Sequence, residues 1–146
     1  MKDKEIKLPA YRLVVFLTEE SDQFRVLPPY PSWGRVHIDV QATEAVCVIQ
    51  VDNLRQLNAV RLPPYHYYEA WLVNSREQVW TSLGAFNVLG NGQGSHIAWF
   101  NPVKIGKTTL QFYYEVVITA EMKSGKVSPG QILLRGQIPS RLVFKL

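Results

Sequence analysis

The chain has little of what builds reactive or metal-bound centres. Cys47 is its only cysteine, so no internal disulfide can form. It lies in the apolar run Ala45-Val46-Cys47-Val48-Ile49, which reads as a buried inert thiol rather than a nucleophile and fits a reducing compartment. The three histidines, His37, His66 and His96, stand about thirty residues apart with no His-x-His or Cys-x-x-Cys spacing, so no metal site and no cofactor is expected. Long apolar runs are also absent. The longest, Leu13 to Leu17 and Ala45 to Ile49, are far too short to span a bilayer. The opening Met1-Lys2-Asp3-Lys4-Glu5-Ile6-Lys7 mixes both charge signs and lacks the apolar stretch of a secretory signal. On this sequence alone the chain reads as soluble and cytoplasmic, or as extracytoplasmic if a leader or anchor was removed.

Helical periodicity is missing as well. No window carries an apolar stripe of useful length, and residues 52–61 offer one helical turn at most. What is present is alternation. Arg35-Val36-His37-Ile38-Asp39-Val40 sets three β-branched residues on one face and three polar ones on the other. Leu110 to Ala120 is the longest strand expected, with Leu110, Phe112, Tyr114, Val116 and Ile118 on one face. Further strands are expected at Tyr11–Leu17, Ala45–Val51, Tyr67–Val73, Gln78–Ala85, His96–Phe100, Gln131–Arg135 and Leu142–Lys145. Pro28-Pro29, Pro63-Pro64, Asn91-Gly92, Ser124-Gly125 and Pro129-Gly130 punctuate them. With 146 residues, 47% hydrophobic and 19% charged, the chain has the size and composition of one self-supporting domain over 1–146. Residues 1–10 read as a flexible N-terminal tail. The fold expected is all-β: an antiparallel sandwich of about eight or nine strands, since nothing helical can serve as a crossover. Leu27-Pro28-Pro29-Tyr30 recurs as Leu62-Pro63-Pro64-Tyr65. The flanks do not match, and both read as extended segments crossing between sheet edges.

From Val46 onward a series of short motifs appears in order: Tyr68 with Trp71-Leu72-Val73, Ser82-Leu83-Gly84 with Phe86, Gly90 to Gly94, Ile118-Thr119-Ala120-Glu121, Ser124-Gly125 and Ser128-Pro129-Gly130. The series, over residues 46–136, resembles the C-terminal, extracytoplasmic domain of the anti-sigma-K factor family of bacteria. The resemblance implies an immunoglobulin-like sandwich without enzymatic chemistry, acting as a protein-interaction or sensory module in transcription or envelope signalling. Members of that family hold their sigma factor through an N-terminal cytoplasmic segment, followed by a membrane crossing. Neither matches anything in this chain, so sigma-factor inhibition does not transfer. Residues 1–45 lie outside the match and are expected to add strands, Tyr11–Leu17 pairing with Leu142–Lys145.

The remaining candidates are weighed by geometry. Ser95 and His96 point to opposite faces of a strand and make no nucleophile–base pair. Gly90-Asn91-Gly92-Gln93-Gly94 lacks the Gly-Lys-Ser/Thr ending of a phosphate loop and reads as a turn. Tyr67, Glu69 and Trp71 share one face of their strand, and with Trp80 they are the candidate ligand-binding residues for a sugar ring or a partner protein. Glu69 has no second acid assigned opposite it, and the strand itself is expected to be central and covered on both sides. Charge is uneven: residues 1–100 hold nine Lys/Arg against ten Asp/Glu, and residues 101–146 hold seven against two. Lys104, Lys107, Arg135 and Arg141 are expected to form a basic rim at one end, adequate for an acidic partner and too small for strong nucleic-acid binding. The function expected is a non-catalytic module that engages another protein, or itself, through an edge strand or an aromatic face. A small-ligand or carbohydrate binder is the alternative, and an unrecognised hydrolase would need a cleft with two converging titratable groups.

Overall fold

Strict alternation produces the first face of the fold. In β1 (Tyr11–Glu19) Leu13, Val15 and Leu17 are buried; in β2 (Trp33–Val40) Val36, Ile38 and Val40; in β3 (Ala45–Asp52) Ala45, Cys47, Ile49 and Val51. The residues between them point to solvent or to the half-buried outer surface. Each such Val, Leu or Ile contributes about 1.5–3 kcal/mol by leaving water, and a one-residue slip would expel the whole row, so the register is well determined. Cys47 is completely buried, and burial pushes its thiol up to about 12, which keeps it protonated and inert at neutral pH.

The computed structural model describes residues 11–41, 44–57, 65–100, 110–122 and 130–139. The expected tail 1–10, the basic residues Lys104, Lys107 and Arg141, and the expected strand at 142–145 lie outside them. Five further strands follow: β4 (Tyr67–Asn74), β5 (Val79–Phe86), β6 (Gly94–Phe100), β7 (Glu115–Glu121) and β8 (Gln131–Gln137). The eight strands form one antiparallel sheet in the order β5-β4-β7-β8-β1-β2-β3-β6. The fold is all-β and sandwich-like. β1 belongs to both halves: Tyr11 to Leu17 pair with β2, whereas Thr18 and Glu19 pair with Arg135 and Leu134 of β8. Tyr11–Leu17 thus takes β2 as its neighbour. Between the halves lies one core containing Phe24, Tyr68, Leu72, Ile118, Leu133 and Leu134, all inaccessible to solvent.

The sheet's two ends, β5 and β6, meet and roll it almost into a barrel. They do not share a backbone ladder. Instead His96 Nε2 lies 2.9 Å from the Leu83 carbonyl, and the imidazole stacks on Phe86 at 5.6 Å and 13°. A carbonyl only accepts, so Nε2 carries the proton. Gly84 has φ +113°, and a Cβ there would sit 2.6 Å from His96 Nε2. Only glycine permits both that backbone and that approach.

Two local expectations are corrected. The stretch expected as the longest strand begins with a 3-10 turn, Leu110–Phe112, closed by Tyr113 N–H donating to the Leu110 carbonyl at 3.0 Å. The strand starts only at Glu115. The buried Asn74 holds the turn by donating to the Phe112 carbonyl at 2.8 Å, and the Tyr113 hydroxyl reaches Thr81 Oγ1 at 2.7 Å. Leu27–Tyr30 is not an extended crossing. It is a turn with a cis Pro28–Pro29 peptide, closed by Tyr30 N–H on the Leu27 carbonyl at 2.9 Å. Asn53, at φ +60°, keeps it there: its Oδ1 accepts from Leu27 N at 2.8 Å and its Nδ2 donates to the Tyr30 carbonyl at 2.6 Å. The glycine-rich segment is a turn, as its sequence indicates. The turn carries the chain from one half to the other, closed by Gly92 N–H on the Leu89 carbonyl at 2.9 Å.

Glu19, at the end of β1, organises the loop that follows. Its Oε2 accepts from Arg25 Nε at 2.9 Å and Ser32 N at 2.8 Å, while Oε1 takes Arg25 Nη2. The Arg25 hydrogen bond holds the Glu19 carboxyl below its usual range. A carboxylate with a depressed native value contributes stability above its unfolded-state value, lost as pH falls through the native one. Glu19→Gln is therefore expected to cost about 2 kcal/mol near neutrality. The difference from the parent should shrink as pH drops below about 4. Denaturation curves at both pH values check this; a pH-independent difference would exclude the ion pair as its source.

Candidate functional site

Two solvent-facing surfaces compete for a functional role. The first is the outer side of β5-β4-β7-β8, which gathers the residues expected from sequence. Tyr67, Glu69 and Trp71 project from β4 as half-buried side chains, with Tyr68, Ala70 and Leu72 turned into the core. β4 is central, between β5 and β7, yet its outer face is only partly covered. Trp80 on β5 joins Trp71, the rings meeting edge to face at 5.8 Å and 76°. The four candidate residues thus share one surface.

Pairing brings in three residues the sequence did not single out. Thr119 lies opposite Glu69, and Glu121 opposite Tyr67. Trp71 donates its indole N–H to Thr119 Oγ1 at 2.9 Å, and Thr119 donates to Glu121 Oε2. Glu121 is buried and also accepts from Gly130 N at 2.7 Å. Ser82 donates to Glu69 Oε2 at 2.6 Å. Burial raises the Tyr67 phenol above its ordinary value, and the nearby charges of Glu69 and Glu121 raise it further. Both acids are therefore engaged with the protein's own donors. Two tryptophans at 76° also make no flat platform for a sugar ring.

Of the expected basic rim, Arg135 is described. Its Nη1 reaches Glu20 Oε1 at 3.3 Å, and its Nε lies 2.8 Å from Glu115 Oε2 without hydrogen-bond alignment. Carboxylates on both sides offset this cation. Among the described residues no group of three His, Cys, Asp or Glu side chains is placed to hold a metal ion.

The second surface is the outer side of β1-β2-β3-β6, and the sequence reading passed over it. Cross-strand register arranges it in three rows. One row is Arg12, Asp39, Val46 and Trp99; the next is Val14, His37, Val48 and Ile97; the third is Phe16, Arg35, Gln50 and Ser95. Phe16 and Trp99 are each 69% exposed and Ile97 56%. Scattered single apolar residues on a surface are ordinary, but a contiguous patch is not. Here Val46, Val48, Ile97 and Trp99 adjoin one another on β3 and β6, while Val14 and Phe16 lie on β1 beyond the polar outer residues of β2; a shallow groove of about 540 Å³ runs beside His37 between Val14 and Val48. The charges run along β1 and β2: Arg12 Nε lies 3.4 Å from Asp39 Oδ2, and Arg35 Nε donates to Gln50 Oε1 at 2.7 Å. Trp99 alternates with the buried Ala98, the one sequence signal that could have marked this face.

These surfaces define an all-β, sandwich-like domain with one half-covered polar–aromatic face and one open face that mixes charged with exposed aromatic and aliphatic side chains. Compared with known proteins, the chain matches no family model, no curated protein and no solved structure. Among the described residues, no helix is long and apolar enough to cross a membrane.

Proposed function

We propose that this chain is a non-catalytic protein-interaction module whose working surface is the open face of β1-β2-β3-β6. The observation that carries the reading is the exposure of Ile97 and Trp99 beside Val46 and Val48, with Phe16 exposed on the same side of the sheet. Exposed aromatic and aliphatic side chains on a rigid sheet lose little conformational freedom on docking and gain dehydration in return. The reading includes an immunoglobulin-like plan. With β1 set aside, the strand order divides into β2-β3-β6 and β5-β4-β7-β8, the three-plus-four division found in that class of sandwich. It also includes kinship with the C-terminal domains of anti-sigma-K factors. In support, Trp71-Leu72-Val73 falls on β4, Ser82-Leu83-Gly84 and Phe86 on β5, and Ile118 to Glu121 on β7.

A photo-reactive amino acid placed at position 99, and separately at position 71, tests the reading in the cells that make the protein. Adducts are expected from position 99 and not from 71. The reverse pattern, or no adduct from either, overturns the assignment. The second reading, a carbohydrate or small-ligand site, rests on the convergence of Tyr67, Glu69, Trp71 and Trp80 on one surface. A tryptophan fluorescence response to a glycan panel, abolished by Trp80→Ala, would favour it over the first.

A further inference from the structure

We infer that the partner of the open face is a second copy of this chain, docked face to face about a twofold axis running along the Val14–His37–Val48–Ile97 row; this rests on the proposed use of that face. The argument is self-complementarity. A closed dimer requires each surface to match its own image. A twofold axis along the middle row, between two stacked sheets, brings each strand over itself and exchanges the two outer rows. Val14, His37, Val48 and Ile97 then each meet their own counterpart. Asp39 comes over Arg35 of the second copy, and Arg35 over its Asp39, giving two opposite-charge pairs. Arg12 comes over Phe16 of the second copy, a cation above an aromatic ring, again twice, while Val46 comes over Gln50 and Trp99 over Ser95.

The other in-plane axis, along the strands, does worse. It sets Arg12 over Trp99 and Val14 over Ile97, but it also sets Asp39 over Val46 and Arg35 over Gln50, leaving the carboxylate against a valine. Burying a carboxylate that gains no opposite charge from the second copy disfavours that arrangement. Stacked sheets lie about 10 Å apart, within reach of facing Asp and Arg side chains. Size sets the strength. Four strands about 4.8 Å apart and seven residues of about 3.3 Å give a face of roughly 450 Å². That is below the roughly 800 Å² per partner of a standard interface, so the dimer is transient.

Sedimentation equilibrium of the purified chain, from about 1 to about 300 µM, reads the association. The parent is expected to shift toward twice the monomer mass across that range. Arg35→Asp and Asp39→Arg should each weaken it by about tenfold or more, since each sets like charges together. The doubly exchanged chain should recover association to within about threefold of the parent, because it restores opposite charges across the axis. Arg35 is exposed and Asp39 half-buried at the surface, and unchanged thermal midpoints would show that the variants fold. A parent that stays monomeric throughout overturns the inference. So does a dimer that ignores the single exchanges, as pairing along the β6 edge would, or one that the double exchange fails to rescue. If position 99 still captures a different protein in cells while the chain is monomeric, the interaction reading stands and the twofold dimer falls. If it captures nothing, both fall.

Discussion

Gly136→Val is expected to lower the unfolding free energy by about 3 kcal/mol or more. A Cβ on Gly136 would lie 2.1 Å from the Phe16 carbonyl oxygen and 2.9 Å from its carbon. Both are backbone atoms of β1, so no rotamer change relieves the clash. The contact sits where β8 meets β1, beside the Thr18–Arg135 and Glu19–Leu134 pairs that join the two halves of the sheet. Relief must come from parting the strands at that join. Gly136→Ala should act in the same direction with a smaller loss. Gly90→Ala is the control, because a Cβ there meets nothing within 4 Å. It should change stability by no more than about 0.5 kcal/mol. Urea denaturation of the three variants decides the matter, and an alanine variant at position 136 as stable as the parent would contradict the close approach.

Tyr68→Ala should cost about 4 kcal/mol, in the range for emptying a large aromatic from a packed interior. Tyr68 is wholly buried at the centre of the core, edge to face with Phe24 at 6.2 Å and tilted on Phe86 at 5.9 Å. Its hydroxyl donates to the Arg55 carbonyl at 2.5 Å. Tyr68→Phe keeps the ring and strands that acceptor, for an expected loss of about 1–2 kcal/mol. Burial raises the phenol well above its ordinary 10.0. A group whose native value is raised contributes stability below its unfolded value, lost as pH climbs through the native one. The parent should therefore weaken above pH 10, and Tyr68→Phe should lack that component of the alkaline loss. Parallel alkaline slopes for the two proteins would argue that Tyr68 is hydrated.

The two halves of the fold were unequally legible, and the reason is the kind of alternation each carries. β2 and β3 keep a strict period of two against solvent on one side, so Val36, Ile38 and Val40 could be placed from sequence. β5 and β8 break the period. In β5, Ala70 pairs with Gly84 and Trp71 with Ser82, so Leu83 is an extra residue turned inward. In β8, Ile118 pairs with Leu134 and Thr119 with Ile132, so Leu133 and Leu134 are both buried. A bulge depends on the partner strand, which no local window contains. The 3-10 turn at Leu110–Phe112 was hidden likewise, because apolar alternation continues through it while Asn74, far off in sequence, fixes its geometry.

The candidate surface followed the same rule. Tyr67, Glu69 and Trp71 fall together by period alone. Thr119 and Glu121 needed the pairing of β4 with β7, about fifty residues downstream. The open face was missed because Phe16 and Trp99, 83 residues apart, lie on strands joined only through β2 and β3. Period two identified which residues share a side, and strand order then determined which sides share a surface.

The closure at His96 and Leu83 gives the roll a single point of least resistance. Elsewhere adjoining strands are held by repeated main-chain rungs, whereas here one imidazole clasps one carbonyl. Thermal breathing should begin at this clasp, parting β5 from β6 before any ladder frays. In deuterated solvent the amides flanking Leu83 and His96 would then gain mass first, and those of β7, locked between two neighbours, last.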